Sequence, residues 1–382
     1  MIYKKIRQCR LCGEEKMERV LSLGNIYIST FTETSRGHIG KAPLTLVHCL
    51  KCDLVQLADT APQELLYTGK YWYKSGINKV IVDDLKDIVS KGLKHHSKGT
   101  WIDIGANDGT LLSFVPSHFN RVAVEPAKNF KNDLALYERV PKFWEKVKLK
   151  YKANVITAIG MFYDSDNPNL FIKNVKDHLM DDGVFIAQLM TLAPMCEKND
   201  LGNICHEHLE YYSYKSLVYL FESNGLEIFR VEGNDINGGS YRLYARHFKK
   251  GSVEIIERSN LALFARKIIE NREKTIKFIR EQILKGKKVY GYGASTKGNT
   301  ILQYYNLDNR MITAVADKNT EKIGKYMVRT KIPIVSEKEA REKADFFFIL
   351  PWGFTDHFLK LESEWRKKGG KFIVSIPSFK IL

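Results

Sequence analysis

The chain has 382 residues, 44% of them hydrophobic and 27% charged, which excludes a disordered tract and predicts two or three folded domains. Its formal charge of +16 is the outlier, and basic proteins meet nucleic acids, acidic membranes or phosphorylated small molecules. The positive residues are spread over 146–152, 285–288 and 366–371 with no dense tail, so an anionic small molecule is expected and a polynucleotide partner is not.

Residues 1–7 carry no apolar signal core and no apolar run approaches a membrane span. A cytoplasmic location without a membrane partner is expected, and there the six cysteines are thiols or metal ligands rather than disulfides. Cys9-x-x-Cys12 and Cys49-x-x-Cys52 frame a loop with strand-like pieces. Two residues between thiolates let one turn offer both sulfurs to one ion, and two such pairs complete a tetrahedron. Structural zinc is therefore expected on Cys9, Cys12, Cys49 and Cys52. A closed tetrathiolate does no chemistry, so loss of a ligand should cost zinc and solubility without a selective effect on catalysis. His38 and His48 inside this module read as solvated or packed.

The aromatic run Tyr71-Trp-Tyr73 either packs domains together or walls a pocket; the helical pattern Ile81, Leu85, Ile88, Val89 follows. Residues 98–112 read as a strand, a glycine turn and a helix start. Gly105 and Gly109 would let backbone approach a ligand, but Asn107 in the middle position departs from the dinucleotide fingerprint. About 20 residues past Asp103 comes a second strand ending in Glu125, an acid able to accept both ribose hydroxyls of an adenosine. Strands at 154–158 and 183–189, helices at 169–179 and 213–225, and strands at 226–231 and 240–247 continue a doubly wound α/β unit.

Between them, residues 203–213 crowd Cys205, His206, Glu207, His208, Glu210, Tyr211 and Tyr212 together. Read alone, this segment is a metal site, an acid–base site or a polar loop packed by its aromatics. It follows the 183–189 strand, and ligands of such sheets lie beyond the carboxyl ends of the strands, the edge that also carries Gly105 and Glu125. Residues 253–284 predict one or two long amphipathic helices. A second α/β unit follows: strand 288–292, the loop Gly293-Ala-Ser-Thr-Lys297-Gly298, a helix, and strands at 312–316, 346–350 and 372–376. That loop suits a phosphate at a helix start; a tight turn in a structural domain is the alternative.

Six motifs in order resemble the sugar C-methyltransferase family: the paired C-x-x-C, the 102–112 turn, His206-Glu-His208 with Tyr211-Tyr-Ser213, Gly238-Gly-Ser-Tyr-Arg242, Gly293-Ala-Ser-Thr-Lys-Gly-Asn299, and Pro351-Trp352. The resemblance implies a zinc module over 1–68, a class I S-adenosylmethionine (SAM) methyltransferase domain over 69–250 and a Rossmann-like α/β domain over 251–382. It implies methylation, with SAM, of a carbon beside a keto group on a nucleotide-diphosphate deoxysugar. His208 takes the place of the family's base, with Glu207 orienting it or touching the sugar. Asp103, Gly105, Asn107, Asp108, Gly109, Glu125 and Pro126 would hold SAM. Tyr71, Tyr73, Asp164, Cys205, His206 and Asn237 would surround the sugar, and Lys297 would approach the diphosphate. Cys205 stands where the family often has tyrosine, and Asp164 where many members have histidine, so an unusual sugar is expected. With zinc held by thiolates elsewhere, acid–base work is the better use of 206–208. A monomer and a homodimer are both compatible with this reading.

Three alternatives compete. An NAD-dependent oxidoreductase would use either glycine loop for a dinucleotide. An RNA or protein methyltransferase would account for the charge and the zinc module, yet the chain lacks the interleaved aromatic and basic residues of base-stacking surfaces. A binding module without activity would hold SAM or a sugar alone.

Overall fold

The computed structural model describes residues 2–67 and 71–382. Near the N-terminus, β1 (Glu18–Tyr27), β2 (Lys41–His48) and β3 (Val55–Leu57) form an antiparallel sheet. Alternation along β2 sends Ala42, Leu44 and Leu46 inward. The four cysteine sulfurs beside it lie within 4.8 Å of one another. Zinc–sulfur bonds of about 2.3 Å give a tetrahedron with edges of roughly 3.8 Å, and the Cys9–Cys52 and Cys12–Cys49 separations of 3.4 and 3.5 Å are close to that. The four thiolates fit structural zinc. His48 is packed against Asp53, Nε2 to Oδ1 2.9 Å. The expected domain boundary at 68–69 lies outside the described residues.

Helix α1 (Lys79–Gly92) starts on an Asn78 cap and buries Ile81, Leu85, Ile88 and Val89 as one stripe. It covers a seven-stranded sheet built from β4 (Thr100–Ile104), β5 (Asn120–Val124), β6 (Glu138–Val140), β7 (Ala153–Ile159), β8 (Leu179–Met190), β10 (Leu226–Asn234) and β11 (Ser240–His247). The spatial order is β10-β11-β8-β7-β4-β5-β6, and only β11 runs against both its neighbours. Strands β4, β5 and β7 are buried over most of their length, as central strands covered on both faces are. This is the class I SAM methyltransferase arrangement. Helices α2 (Thr110–Phe114), α3 (Pro168–His178) and α4 (Tyr214–Ser223) belong to this unit, and Ser213 caps α4 through the Ser216 N–H.

The long connector differs from the expected 253–284 helix: α5 spans Leu261–Leu284 only. The preceding stretch is tied back to the methyltransferase unit. Val253 donates to the Ile228 carbonyl and accepts from the Tyr214 hydroxyl, while Glu257 accepts from the Tyr214 N–H and the Tyr241 hydroxyl. Those bonds hold it extended until Asn260 caps α5. The C-terminal unit has β12 (Val289–Tyr292), α6 (Thr296–Tyr304), β13 (Val315–Asp317), β14 (Ile334–Ser336), β15 (Phe346–Ile349), β16 (Lys371–Val374) and β17 (Lys380–Ile381), in the order β14-β13-β12-β15-β16-β17. Every pair is parallel except the last. Strand β13 is shorter than expected, with Ile312 buried in the loop before it. Among the described residues no helix is long and apolar enough to cross a membrane.

Candidate active site

The 203–213 segment is pinned from two sides. Leu209 donates its N–H to the Tyr163 carbonyl, and its own carbonyl accepts from Leu57 N–H in β3. The next two residues form β9 (Glu210–Tyr211), which pairs antiparallel with β3 and becomes the fourth strand of the N-terminal sheet. His206 Nε2 donates to the Ala42 carbonyl at 3.0 Å, and Ser213 Oγ to the Asp53 carbonyl at 3.1 Å. A buried ion pair, Arg10 Nε to Glu210 Oε1 at 3.3 Å, closes the contact. The segment thus joins the zinc module to the methyltransferase unit.

His208 comes out of this frame with one defined tautomer. Its Nδ1 lies 2.8 Å from the Asn203 carbonyl, which can only accept, so Nδ1 carries the proton and Nε2 keeps its lone pair. The ring packs edge-on against Tyr163 with centroids 4.5 Å apart. Burial first, and Lys297 second, push its pKa down to about 3, so it is neutral throughout the physiological range. Of the two expected roles for Glu207, orienting this ring falls to the Asn203 carbonyl instead, and contact with the substrate is the one left. Burial raises Glu207 to about 7, opposed by Thr296 and Lys297. Both residues line a cavity with Tyr71, Tyr73, Asp164 and, from the C-terminal unit, Thr296 and Lys297. Asn237 and Ser240 form another wall. Asn237 has φ +54° in the turn between β10 and β11, and that turn is packed under Trp352, where a Cβ on Gly238 would meet the indole at 2.6 Å.

A second cavity adjoins the first and shares Tyr71, Tyr73, Ser75, Ile159, Gly160 and Asp164 with it. It opens above the carboxyl ends of β4, β5 and β7, where Gly105, Asn107, Glu125 and Pro126 line it. Gly105 has φ +71°, and a Cβ there would strike Met161 at 2.7 Å. Glu125 accepts from the N–H groups of Asn107 and Ala127, each at 2.8 Å, which fixes the turn. The Asn107 side chain accepts from Ser75 N–H and donates to the Tyr73 carbonyl, so the same turn anchors the aromatic run. A tight turn beside a buried carboxylate fits the nucleoside end of SAM.

The other expected cofactor residues work behind this wall. Asp103 is buried and accepts from Thr157 Oγ1 at 2.7 Å, Asp108 holds the Gly76 and Thr110 N–H groups, and Gly109 faces Tyr137 and Leu134. His206 and Cys205 are likewise absent from the lining of the first cavity: the former faces Ala42, and the latter's thiol points to Glu207 Oε2 at 3.9 Å. Sequence reasoning missed the cavity residues Asp84 and Gln188, which Arg242 holds from below, and the wall Phe143-Trp144-Glu145 of the cofactor cavity. The aromatic pair after β6 was the available signal for that wall. For Asp84, inside a helical stripe, no linear signal exists.

The comparisons agree with this geometry. Family models match three consecutive segments: a zinc binding domain over residues 9–67, a methyltransferase domain over 77–231, and a C-methyltransferase C-terminal domain over 235–377. The chain is 27% identical to the C-methyltransferase NovU of Streptomyces niveus over 413 aligned residues, covering 100% of this chain and 98% of the relative. Solved structures similar to it include an S-adenosylmethionine-dependent methyltransferase from Clostridium acetobutylicum (TM-score 0.38, 14% identity, 44% of this chain and 92% of that one). Another is the CcbJ methyltransferase from Streptomyces caelestis (TM-score 0.38, 12% identity, 47% and 94%). The methyltransferase match displaces the oxidoreductase alternative.

Proposed function

We propose that this chain, a SAM-dependent methyltransferase of the C-methyltransferase family, methylates a carbon beside a keto group on a nucleotide-linked deoxysugar. The observation that carries the reading is the His208 ring, whose Nδ1 contact with the Asn203 carbonyl leaves the Nε2 lone pair free in a cavity that adjoins the cofactor cradle. Bound SAM supplies an electrophilic methyl group on a sulfonium. A carbon next to a ketone becomes nucleophilic only as its enolate, so one residue must take its proton. His208 Nε2 takes that proton while Nδ1–H stays on the Asn203 carbonyl. Lys297 is one of the two influences that lower His208 basicity, and a substrate diphosphate beside that lysine would offset it. The enolate oxygen is met by groups of the same cavity, with Tyr71 and Tyr73 packing the sugar against Tyr163.

A third cavity supports the nucleotide. It shares Tyr73 and Thr296 with the acceptor cavity and runs along the loop at 293–296 toward Asp317, Lys322, Phe354 and Phe358. Aromatic faces suit a base, Asp317 suits ribose hydroxyls, and the loop and Lys297 suit the diphosphate. The test is mass spectrometry of products from a panel of 4-keto-deoxysugar nucleotides incubated with SAM. One should gain about 14 mass units, the net CH₂ added when CH₃ replaces H, with the new methyl group on carbon. His208→Ala should keep SAM affinity and lose turnover by at least about 100-fold. A variant retaining most of its turnover would refute the base assignment.

A further inference from the structure

Trp352 stands on a short turn with two faces. On one side Pro351, Phe354 and Phe358 line the cavity that runs along the loop at 293–296. On the other side the Trp352 indole reaches out of the C-terminal unit: Nε1 donates to Asp200 Oδ1 at 2.7 Å, and the six-membered ring covers Gly238. Asp200 is 4% exposed and opens the tight turn 200–203, in which the Asn203 N–H returns to the Asp200 carbonyl at 3.3 Å. Its carboxyl lies across that turn, since a Cβ on Gly202 would meet Oδ1 at 3.2 Å. Helix α6 backs the same turn, with Ile301 and Lys297 the next atoms such a Cβ would meet. The Asn203 side chain adds a weak tie, Nδ2 to Met195 Sδ at 3.6 Å. The turn ends on the Asn203 carbonyl, the group that holds His208 Nδ1 at 2.8 Å.

We infer that Trp352 is a positioning residue: through Asp200 it fixes the Asn203 carbonyl, and through that carbonyl the tautomer and aim of His208. This rests on the reading of His208 as the base and adds the residue that sets it. A carbonyl selects the Nδ1–H tautomer only while it stays in line with the ring, because hydrogen bonds weaken steeply as their angle closes. The backbone bond that closes the turn at Asp200 is long at 3.3 Å, so the turn needs a second anchor. The indole supplies it, and removing the donor leaves a buried carboxyl oxygen one bond short. The Asn203 carbonyl is then free to swing, the ring follows it, and the Nε2 lone pair leaves the line to the proton it takes. Small errors in such geometry cost rate. The indole comes from the unit that also carries the 293–296 loop and Lys297, so both sides of the acceptor cavity contribute to the placement of the base.

The test uses the full chain loaded with zinc. Nitrogen-15 NMR of the histidine rings, with His208 assigned by its loss in His208→Gln, should show one protonated and one bare nitrogen for His208 in the native chain. In Trp352→Phe and in Asp200→Ala the two signals should move toward each other as the second tautomer appears. With the panel member that is turned over, kcat should fall at least about tenfold in each while KM stays within about threefold. The double variant should lose no more than about twofold beyond the worse single, since both changes remove one bond. Asp200→Asn leaves an oxygen for the indole and should keep the ring signals and kcat near native; set against Asp200→Ala, it gives the same contrast if Trp352→Phe does not fold. Unchanged His208 signals in both single variants, a kcat within about threefold of native, or losses that multiply in the double variant overturn the inference. Signals that move in a protein whose turnover survives His208→Ala keep the inference of position and remove the base reading.

Discussion

Lys297 brings a charge from the C-terminal unit into a cavity whose other walls belong to the methyltransferase unit, and two titrations register it. Its field opposes protonation of His208 and favours ionisation of Glu207. Replacing it with methionine removes both effects without touching burial, the larger cause in each case. In Lys297→Met the His208 pKa should rise from about 3 yet stay below the free-imidazole value, and Glu207 should move above about 7. Ring-proton NMR across a pH series reads the first, and the acid limb of kcat/KM reads the second, moving to higher pH. Nucleotide-sugar affinity should fall about tenfold, the worth of one charge-assisted hydrogen bond. Unmoved titrations would take Lys297 out of the site. The residue types at 203–208 were legible in the sequence because they concentrate chemistry in a few positions. Their division of labour was not: His206 and His208 are two residues apart, yet one meets Ala42 and the other Asn203, as only the folded neighbours decide.

At the scale of elements, the acceptor cavity stands on a polar girder between α1 and the sheet. Arg242 on β11 reaches Gln188 through Nε at 2.8 Å, Asp87 through Nη1 at 2.6 Å and Asp84 through Nη2 at 2.8 Å. Gln188 in turn donates to Asp84 and accepts from Asn234. Arg242 is 3% exposed, so removing it strands Asp84 beside the cavity. Arg242→Met should cost about 3 kcal/mol in urea unfolding, and Asp84→Leu in the same chain should recover much of that. If the double variant is no more stable than the single, packing rather than stranded charge is the cause. Strands β4, β5 and β7 and helix α1 could be read from periodicity, since apolar runs and one-sided stripes are local patterns. The two-residue β9 could not, because a strand that short exists only by virtue of the edge it pairs with. The 253–260 stretch misled for the same reason: its helical spacing loses to hydrogen bonds with Tyr214, Tyr241 and Ile228.

Across the whole molecule, the zinc module is built into the frame that holds the segment carrying His208. Strand β3 lies close behind the knuckle that carries Cys49 and Cys52 and pairs directly with β9, two residues past His208. The sequence expectation of no selective effect on chemistry therefore changes. Cys49→Ser, or zinc removal by a chelator, should raise amide hydrogen exchange at Leu57 and Leu209 and lower kcat at least about tenfold. SAM affinity should fall less, since the cradle at Gly105 and Glu125 draws on another sheet. Parallel loss of both would mean general unfolding instead.

The border that the two cavities share at Asp164 also sets an order of assembly. The cofactor cradle needs only the N-terminal and central parts of the chain, whereas the acceptor cavity is closed by Thr296 and Lys297, which are synthesised later. Domains fold broadly in the order they are made. A growing chain thus acquires its methyl-donor site before the cavity beside it is closed, and the last unit to fold is the one that supplies Thr296 and Lys297.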